Sequence, residues 1–123
     1  MTVIVDSSGW IEFFTNGPLA AEYSKYLKHA GKIVTPTIIL HEVYKKIRRE
    51  RSEEDALAAV SILNRTRVVP LTESLSLLAA DMSLKYSLPM ADAIVYATAL
   101  EENCLVVTSD GHFKGLEKAL VLS

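Results

Sequence analysis

Short apolar runs rich in β-branched residues alternate along this chain with longer segments in which apolar residues recur at helical spacing. The runs at residues 2–5, 33–34, 68–69 and 105–107 are too short for helices and predict buried strands. Residues 120–122 predict a further short strand at the edge of the sheet. The strands are therefore expected to be spread along the whole chain.

Helices are predicted between these strands, and four of them carry an apolar stripe. Asp6 and the two serines after it offer capping side chains behind the first strand. A helix that begins at Pro18 ends near Gly31, a charged break at residues 51–55 divides a helical hairpin, and a last helix begins at Pro89. The predicted stripes are Leu19, Tyr23, Tyr26 and Leu27; Ile39, Val43 and Ile47; Leu57, Val60 and Leu63; and Leu75, Leu78, Ala79 and Met82.

This alternation of strands and helices is typical of a parallel sheet covered by helices, an α/β sandwich. In open parallel sheets, ligands bind beyond the carboxyl ends of the strands. Asp6 and Asp110 follow the first and fourth predicted strands, so both are expected at that edge. No repeat, low-complexity tract or linker divides the chain, and residues 1–123 are expected to form one domain.

Composition limits where the protein is expected to reside and which disulfides and zinc sites it can form. Half of the residues are hydrophobic, and no apolar run approaches the roughly 20 residues that span a bilayer. No signal-peptide pattern opens the chain, so a soluble, cytoplasmic protein is expected. A lone cysteine, Cys104, excludes an intrachain disulfide and a cysteine-based zinc site. The histidines lack zinc-site spacing, and His41 and His112 are expected only at the rim of a pocket.

Four acidic residues stand beside apolar elements in four separate segments. Carboxylates that converge without a counter-charge raise one another's pKa, so a shared cluster implies a cation among them. Oxygen ligands favour Mg²⁺, with Mn²⁺ as an alternative, and nearby hydroxyls of Ser7 and Thr108 are expected to orient the carboxylates. The candidate catalytic acids are Asp6, Glu42, Asp92 and Asp110, with Asp6, Asp92 and Asp110 as metal ligands.

Each acid also has a purely structural interpretation. Asp6 suits a helix cap, Asp92 lies in a first helical turn, and Asp110 lies in an ordinary Ser-Asp-Gly turn. Glu42 has Lys46 four residues on, the spacing of an ion pair on a solvated helix face. Four acids together at strand ends and helix starts nevertheless favour a common pocket over four separate roles.

A basic segment lies next to Glu42, although the net charge of the chain is -2. Residues 42–51 carry five basic and two acidic side chains, a composition that suits either a polyanionic ligand or a solvated helix face. Phosphate contacts from such residues position a nucleic-acid strand without reading its sequence. The candidate RNA contacts are Lys45, Lys46, Arg48 and Arg49.

Four segments of the chain together resemble the PIN-domain ribonucleases, and most closely the toxins of VapC type. These segments are VDSSGWIEFF, LHEVYKKI, LPMADAIVYATA and VVTSDGHF, in the family's order over nearly the whole chain. The resemblance implies a three-layer α/β/α sandwich with a central parallel sheet and Mg²⁺- or Mn²⁺-dependent endonucleolytic cleavage of RNA. It also implies a homodimer and a small VapB-like antitoxin protein whose tail enters the acidic groove.

The resemblance assigns Asp6, Glu42, Asp92 and Asp110 to the family's acidic centre. Thr108 matches the hydroxyl residue that often precedes the last acid. Many relatives carry a further acid just after that position, whereas this chain continues with Gly111 and His112, which leaves one-metal and two-metal chemistry open.

The expected function is a metal-dependent endoribonuclease, the toxin of a toxin–antitoxin pair. One alternative is a non-catalytic module of the same fold that binds RNA or a peptide, and another is an RNA-processing nuclease without a toxin role. A phosphotransferase with Asp6 as its nucleophile is less favoured, because such enzymes commonly place another acid two residues on, where this chain has Ser8.

Overall fold

A computed structural model describes residues 1–123, which form five short strands, six α-helices and two short 3-10 helices. The strands are β1 (Val3–Val5), β2 (Val34–Pro36), β3 (Arg67–Val69), β4 (Leu105–Thr108) and β5 (Ala119–Val121). The α-helices are α1 (Ser7–Thr15), α2 (Ala20–Leu27), α3 (Thr37–Glu50), α4 (Glu53–Leu63), α5 (Glu73–Tyr86) and α6 (Met90–Glu102). The 3-10 helices are Ala30–Lys32 and Gly111–Phe113.

All paired strands are parallel, as the alternation of strands and helices predicts. Strand β4 pairs with β1 on one side and with β5 on the other, and β2 pairs with β3. A parallel bridge between Val3 and Ile33 joins the two groups, so the strands follow the spatial order β3-β2-β1-β4-β5. The expected α/β/α sandwich with a central parallel sheet is confirmed, and its strands end at one common edge.

The core is one cluster of buried hydrophobic residues around β1, β4 and α6. Every residue of α6 from Ala93 to Ala99 is buried, which is typical of a helix enclosed on all sides. That burial holds the start of α6, and therefore Asp92, at the edge of the sheet. None of the helices is long and apolar enough to cross a membrane.

Helix α1 begins immediately after β1 and packs unusually close to its neighbours at Gly9. A Cβ atom at Gly9 would lie 2.5 Å from the ring of Tyr23 and 2.6 Å from Cγ1 of Val5. Only glycine lets the first turn of α1 approach β1 and α2 so closely. This close packing fixes the direction in which the chain leaves β1 at Asp6.

Two predictions about helix ends are wrong. The helix predicted from Pro18 to Gly31 ends at Leu27, and the 3-10 helix follows as a separate element. The predicted break at residues 51–55 is shorter, because Oγ of Ser52 accepts a hydrogen bond from the backbone N–H of Asp55 and caps α4 there.

The predicted apolar stripe of α4 is also wrong in part. Leu57 is 52% exposed, and the residues of α4 that enter the core are Ala56, Ala59 and Leu63. Small residues on this face let α4 lie close to α3, its main helical neighbour. Residue size at the contact, which the periodic pattern ignores, therefore decided which face is buried.

Candidate active site

Asp6 lies at the carboxyl end of β1, where the chain enters α1. Its side chain is only 5% exposed. Oδ1 accepts a hydrogen bond of 2.8 Å from the backbone N–H of Ser7, and Oδ2 accepts one of 2.8 Å from Oγ1 of Thr108. Asp6 thus serves as the cap of α1, and because a carboxylate has about four lone-pair sites, it retains acceptor capacity for a further partner.

Thr108 ends β4 and connects two parts of the site. Its hydroxyl is fully buried, donates to Asp6 and accepts a hydrogen bond of 3.0 Å from the backbone N–H of Asp110. Oδ1 of Asp110 in turn accepts from the backbone N–H of His112 at 2.9 Å and starts the 3-10 helix there. The loops that follow β1 and β4 are therefore held together by side-chain hydrogen bonds.

Asp92 lies in the first turn of α6 and faces the loop after β4. Its Oδ2 is 3.1 Å from Nδ1 of His112, and Oδ1 of Asp110 is 2.9 Å from the same nitrogen. One donor atom from each of the three residues lies within 4.8 Å of the others. The sequence places His112 only at the rim; its side chain is 57% exposed, yet its nitrogen contacts two of the four acids.

Glu42 comes from α3 and faces Asp6 from another side. Burial raises the pKa of Glu42, and the charge of Asp6 raises it further, whereas a hydrogen bond with the Ser7 hydroxyl acts in the opposite direction. The alternative ion pair between Glu42 and Lys46 is wrong, because Nζ of Lys46 pairs with Oε2 of Glu50 at 3.5 Å. Glu42 is therefore directed to the acidic group rather than to its own helix face.

Three of the acids, Asp6, Glu42 and Asp92, have a raised pKa, in part because other carboxylates lie nearby. Burial raises the pKa of Asp6, the charge of Asp110 adds to this, and the hydrogen bonds from Thr108 and Ser7 oppose it. Burial, a hydrogen bond with Asp110 and the charges of Asp110 and Asp6 raise the pKa of Asp92 to about 7, against the influence of His112.

The donor set fits a divalent cation. Carboxyl groups whose negative charge is disfavoured by burial and by each other are stabilised by a cation placed among them. Asp92 and Asp110 offer carboxylate oxygens, the ligand type of Mg²⁺ and Mn²⁺, and His112 adds one imidazole nitrogen within 4.8 Å of both. Asp6 lies near enough for its charge to raise the pKa of Asp92 and adds a further carboxylate. The residues present therefore match the ion that the sequence resemblance implies.

A cleft of about 410 Å³ opens beside the acids, and we call it the basic groove. It contains three of the four candidate RNA contacts together with Glu42. Arg48 is not among its lining residues and instead pairs with Glu53 at 3.5 Å. The polar lining of the basic groove consists of Ser7, His41, Glu42, Lys45, Lys46 and Arg49.

Fold and site together define an α/β domain with an acidic centre at the carboxyl ends of its parallel strands. The PIN domain family matches residues 3–119, nearly the whole chain, so this protein belongs to the PIN domain family. A search of curated protein sequences found no match.

Solved structures with the same fold include proteins of toxin–antitoxin systems. A toxin-antitoxin complex from Klebsiella pneumoniae has a TM-score of 0.83 at 17% identity, with 98% of this chain and 97% of that chain covered. VapC20 of Mycobacterium tuberculosis, a Sarcin-Ricin loop cleaving toxin, has a TM-score of 0.78 at 18% identity over 94% and 95% of the two chains. FitAcB of Neisseria gonorrhoeae has a TM-score of 0.73 at 16% identity over 99% and 97%. Similarity at these identities shows that the fold is shared.

Proposed function

We propose that this chain is a metal-dependent endoribonuclease that hydrolyses RNA phosphodiester bonds as the toxin of a toxin–antitoxin pair. The observation that carries the proposal is the convergence of four acids beside the basic groove. Membership of the PIN domain family supports the nuclease activity. The toxin role is supported by the fold shared with VapC20 and with the toxin-antitoxin complex from Klebsiella pneumoniae.

In this proposal, Asp6, Asp92 and Asp110 hold the cation, and Glu42 acts as the base. When bound, Mg²⁺ or Mn²⁺ supplies positive charge to the scissile phosphate and makes water a better nucleophile. Asp6 is already fixed by hydrogen bonds from Ser7 and Thr108, so its carboxylate needs no reorganisation during the reaction. Glu42, half-buried with a raised pKa, is suited to accept the proton that the attacking water loses.

The basic groove is proposed to hold the RNA strand next to these acids. Lys45, Lys46 and Arg49 line it and would contact phosphates, which gives affinity without sequence selectivity. Arg48 is proposed as a fourth contact, one that requires release from its ion pair with Glu53.

Residues 1–123 are proposed to act as one domain in the cytoplasm, without membrane attachment, and as a homodimer. The proposed protein partner is a small VapB-like antitoxin that occupies the acidic centre and the basic groove, since both would attract a segment with mixed charges. Support comes from the solved toxin–antitoxin complexes that share this fold.

A non-catalytic module that binds RNA or a peptide is the second candidate. The contacts of His112 with Asp92 and Asp110 favour it, because they show that this acidic centre accepts a basic side chain. In such a module the acids would receive basic groups of a partner and would not support hydrolysis.

The decisive experiment is incubation of purified protein with structured RNA in the presence of Mg²⁺, Mn²⁺ or EDTA. Cleavage is expected with either ion and none with EDTA, because a bare carboxylate cluster repels the phosphate. Metal binding without cleavage would favour the binding module. Induced expression in a host cell with and without a co-expressed antitoxin would separate a toxin from an RNA-processing nuclease.

Loss of one groove cation is expected to weaken RNA binding roughly equally for all sequences. Lys45→Ala and Arg49→Ala should each lower the magnitude of the slope of log affinity against log salt concentration by about 1, the contribution of one phosphate contact. Titration of fluorescent single-stranded RNA at several salt concentrations measures this.

The matched control is Lys25→Ala, an exposed lysine of α2 that pairs with Glu22 and lies outside the basic groove. The same titration with Arg48→Ala tests the fourth proposed contact. Equal weakening by Lys25→Ala would show that the measured effect reflects net charge rather than the groove.

A further inference from the structure

We propose that His112 is a ligand of the bound cation together with Asp92 and Asp110, and that its nitrogen makes the site prefer Mn²⁺ over Mg²⁺. This inference rests on the proposed metal-dependent function and refines it, because it assigns the identity of the ion to one residue. The carboxylates alone favour Mg²⁺, with Mn²⁺ as the alternative.

The first support is the spacing of the donor atoms. Two ligands at neighbouring corners of an octahedron with bonds of about 2.1 Å lie about 3.0 Å apart. Nδ1 of His112 lies 2.9 Å from Oδ1 of Asp110 and 3.1 Å from Oδ2 of Asp92. One nitrogen is thus at the spacing of a neighbouring ligand from both carboxylates.

The second support is that the backbone holds His112 in place on both sides. Its N–H donates to Asp110, and the next residue, Phe113, is fully buried in the core, where its ring meets Tyr96 edge to face at 6.4 Å. The 3-10 helix from Gly111 to Phe113 fixes the direction of the residue between them. A ring that is anchored at the backbone yet exposed to solvent can exchange its carboxylate contacts for an ion without unfolding the loop.

The third support is the chemistry of the donor set. Mg²⁺ is a hard ion that prefers oxygen and keeps several waters, whereas an imidazole nitrogen suits divalent transition ions. Replacing one oxygen ligand by nitrogen therefore gains affinity for Mn²⁺ relative to Mg²⁺. The position two residues after Asp110, where the sequence offers a histidine instead of an acid, would then determine metal preference.

A different role for His112 predicts the opposite result. If the ring serves only as a cation that neutralises Asp92 and Asp110, it competes with the metal, and its removal should strengthen binding of both ions. If it is a ligand, its removal should weaken binding of Mn²⁺ specifically. The two roles are therefore separated by the sign of one measurement.

The experiment measures Mn²⁺ binding by electron paramagnetic resonance at pH 8 and Mg²⁺ binding by competition, for the wild type and for His112→Asn. The variant is expected to lose about tenfold or more in Mn²⁺ affinity and at most about threefold in Mg²⁺ affinity. Electron spin echo spectra of bound Mn²⁺ should show nitrogen modulation in the wild type and lose it in His112→Asn.

The matched control is His41→Asn, which removes the other histidine near the acids, on α3 in the basic groove. It should retain the nitrogen modulation and the preference for Mn²⁺. His112→Asp, which restores an oxygen donor, should bind Mg²⁺ and Mn²⁺ with more similar affinities than the wild type does.

The outcomes distinguish this inference from the proposed function. Mn²⁺ binding without nitrogen modulation, or tighter binding of both ions by His112→Asn, overturns the role of His112 and leaves the nuclease proposal standing. If the wild type shows nitrogen modulation that His112→Asn loses, but cleaves no RNA, the result supports His112 as a metal ligand and contradicts the nuclease proposal. Absence of Mn²⁺ binding by the wild type overturns both.

Discussion

Asp92→Asn is expected to lower metal-dependent RNA cleavage at least ~100-fold while the protein stays folded. Asp92 faces Asp110 and His112 with one oxygen, and the amide would replace the charged group proposed as a metal ligand with a neutral group that binds a cation weakly. Initial cleavage rates with saturating Mn²⁺ and a fixed RNA substrate measure the loss.

The matched control is Asp81→Asn, which removes an exposed acid from α5, outside the acidic centre. It is expected to cleave RNA at the wild-type rate. Cleavage by Asp92→Asn at the rate of Asp81→Asn would contradict the proposed site. Asp6→Asn is a less direct test, because Asp6 also caps α1 and accepts from Thr108, so both folding and metal binding would change.

Asp92→Asn should also stabilise the metal-free protein at high pH. Burial and Asp110 raise the pKa of Asp92 to about 7, above that of an unfolded aspartate. The stability associated with the protonated group is therefore lost as pH rises from about 4 through 7. Asp92→Asn should raise the midpoint of thermal unfolding in EDTA more at pH 8 than at pH 5. A variant less stable than the wild type at pH 8 would mean that the carboxylate has another stabilising partner.

Thr108→Val is expected to cost about 2 to 4 kcal/mol of unfolding free energy and to reduce cleavage as well. The substitution keeps the shape of the side chain but removes the donor to buried Asp6 and the acceptor for the backbone N–H of Asp110. Two polar groups then lose their partners, and the acidic centre loses the link between the loops after β1 and β4. Urea unfolding and cleavage rates, both with and without Mn²⁺, measure the two effects.

Thr98→Val provides the comparison for Thr108→Val. Thr98 is equally buried, but its hydroxyl only donates to the backbone carbonyl of Ile94, one turn earlier in α6. Without the hydroxyl, that carbonyl still accepts the helical hydrogen bond from a backbone N–H. Its loss should cost much less and leave cleavage unchanged. Thr108→Ser restores the hydroxyl and should recover most of the activity. Equal destabilisation by the two valine variants would show that Thr108 matters only for packing.

Local patterns predicted most of the fold correctly. The short apolar runs became β1 to β5, and the predicted helix start at Pro89 matched the start of α6, because strand and helix preferences act over a few residues. Which residue size fits at a helix contact depends on the neighbouring helix, and a local pattern does not include that neighbour. The periodic pattern therefore assigned Leu57 to the core although the structure exposes it.

The candidate site was predicted as a group of acids but not as a set of contacts. Asp6, Glu42, Asp92 and Asp110 converge in the structure, as their placement at strand ends and helix starts indicates. The partner of Lys46, by contrast, is Glu50, and Arg48 pairs with Glu53. Several ion pairs have suitable spacing along a charged helix, and sequence spacing does not select among them.

The sequence by itself determined the alternation of strands and helices, and with it the edge of a parallel sheet at which Asp6 and Asp110 lie. Those features depend on the period of apolar residues and on capping groups, which are local. Only the tertiary structure decided that Thr108 donates to Asp6 across 102 positions and that His112 lies between Asp92 and Asp110. Such contacts depend on strand order and on the direction of buried side chains, because residues far apart in sequence meet only when the whole core has packed.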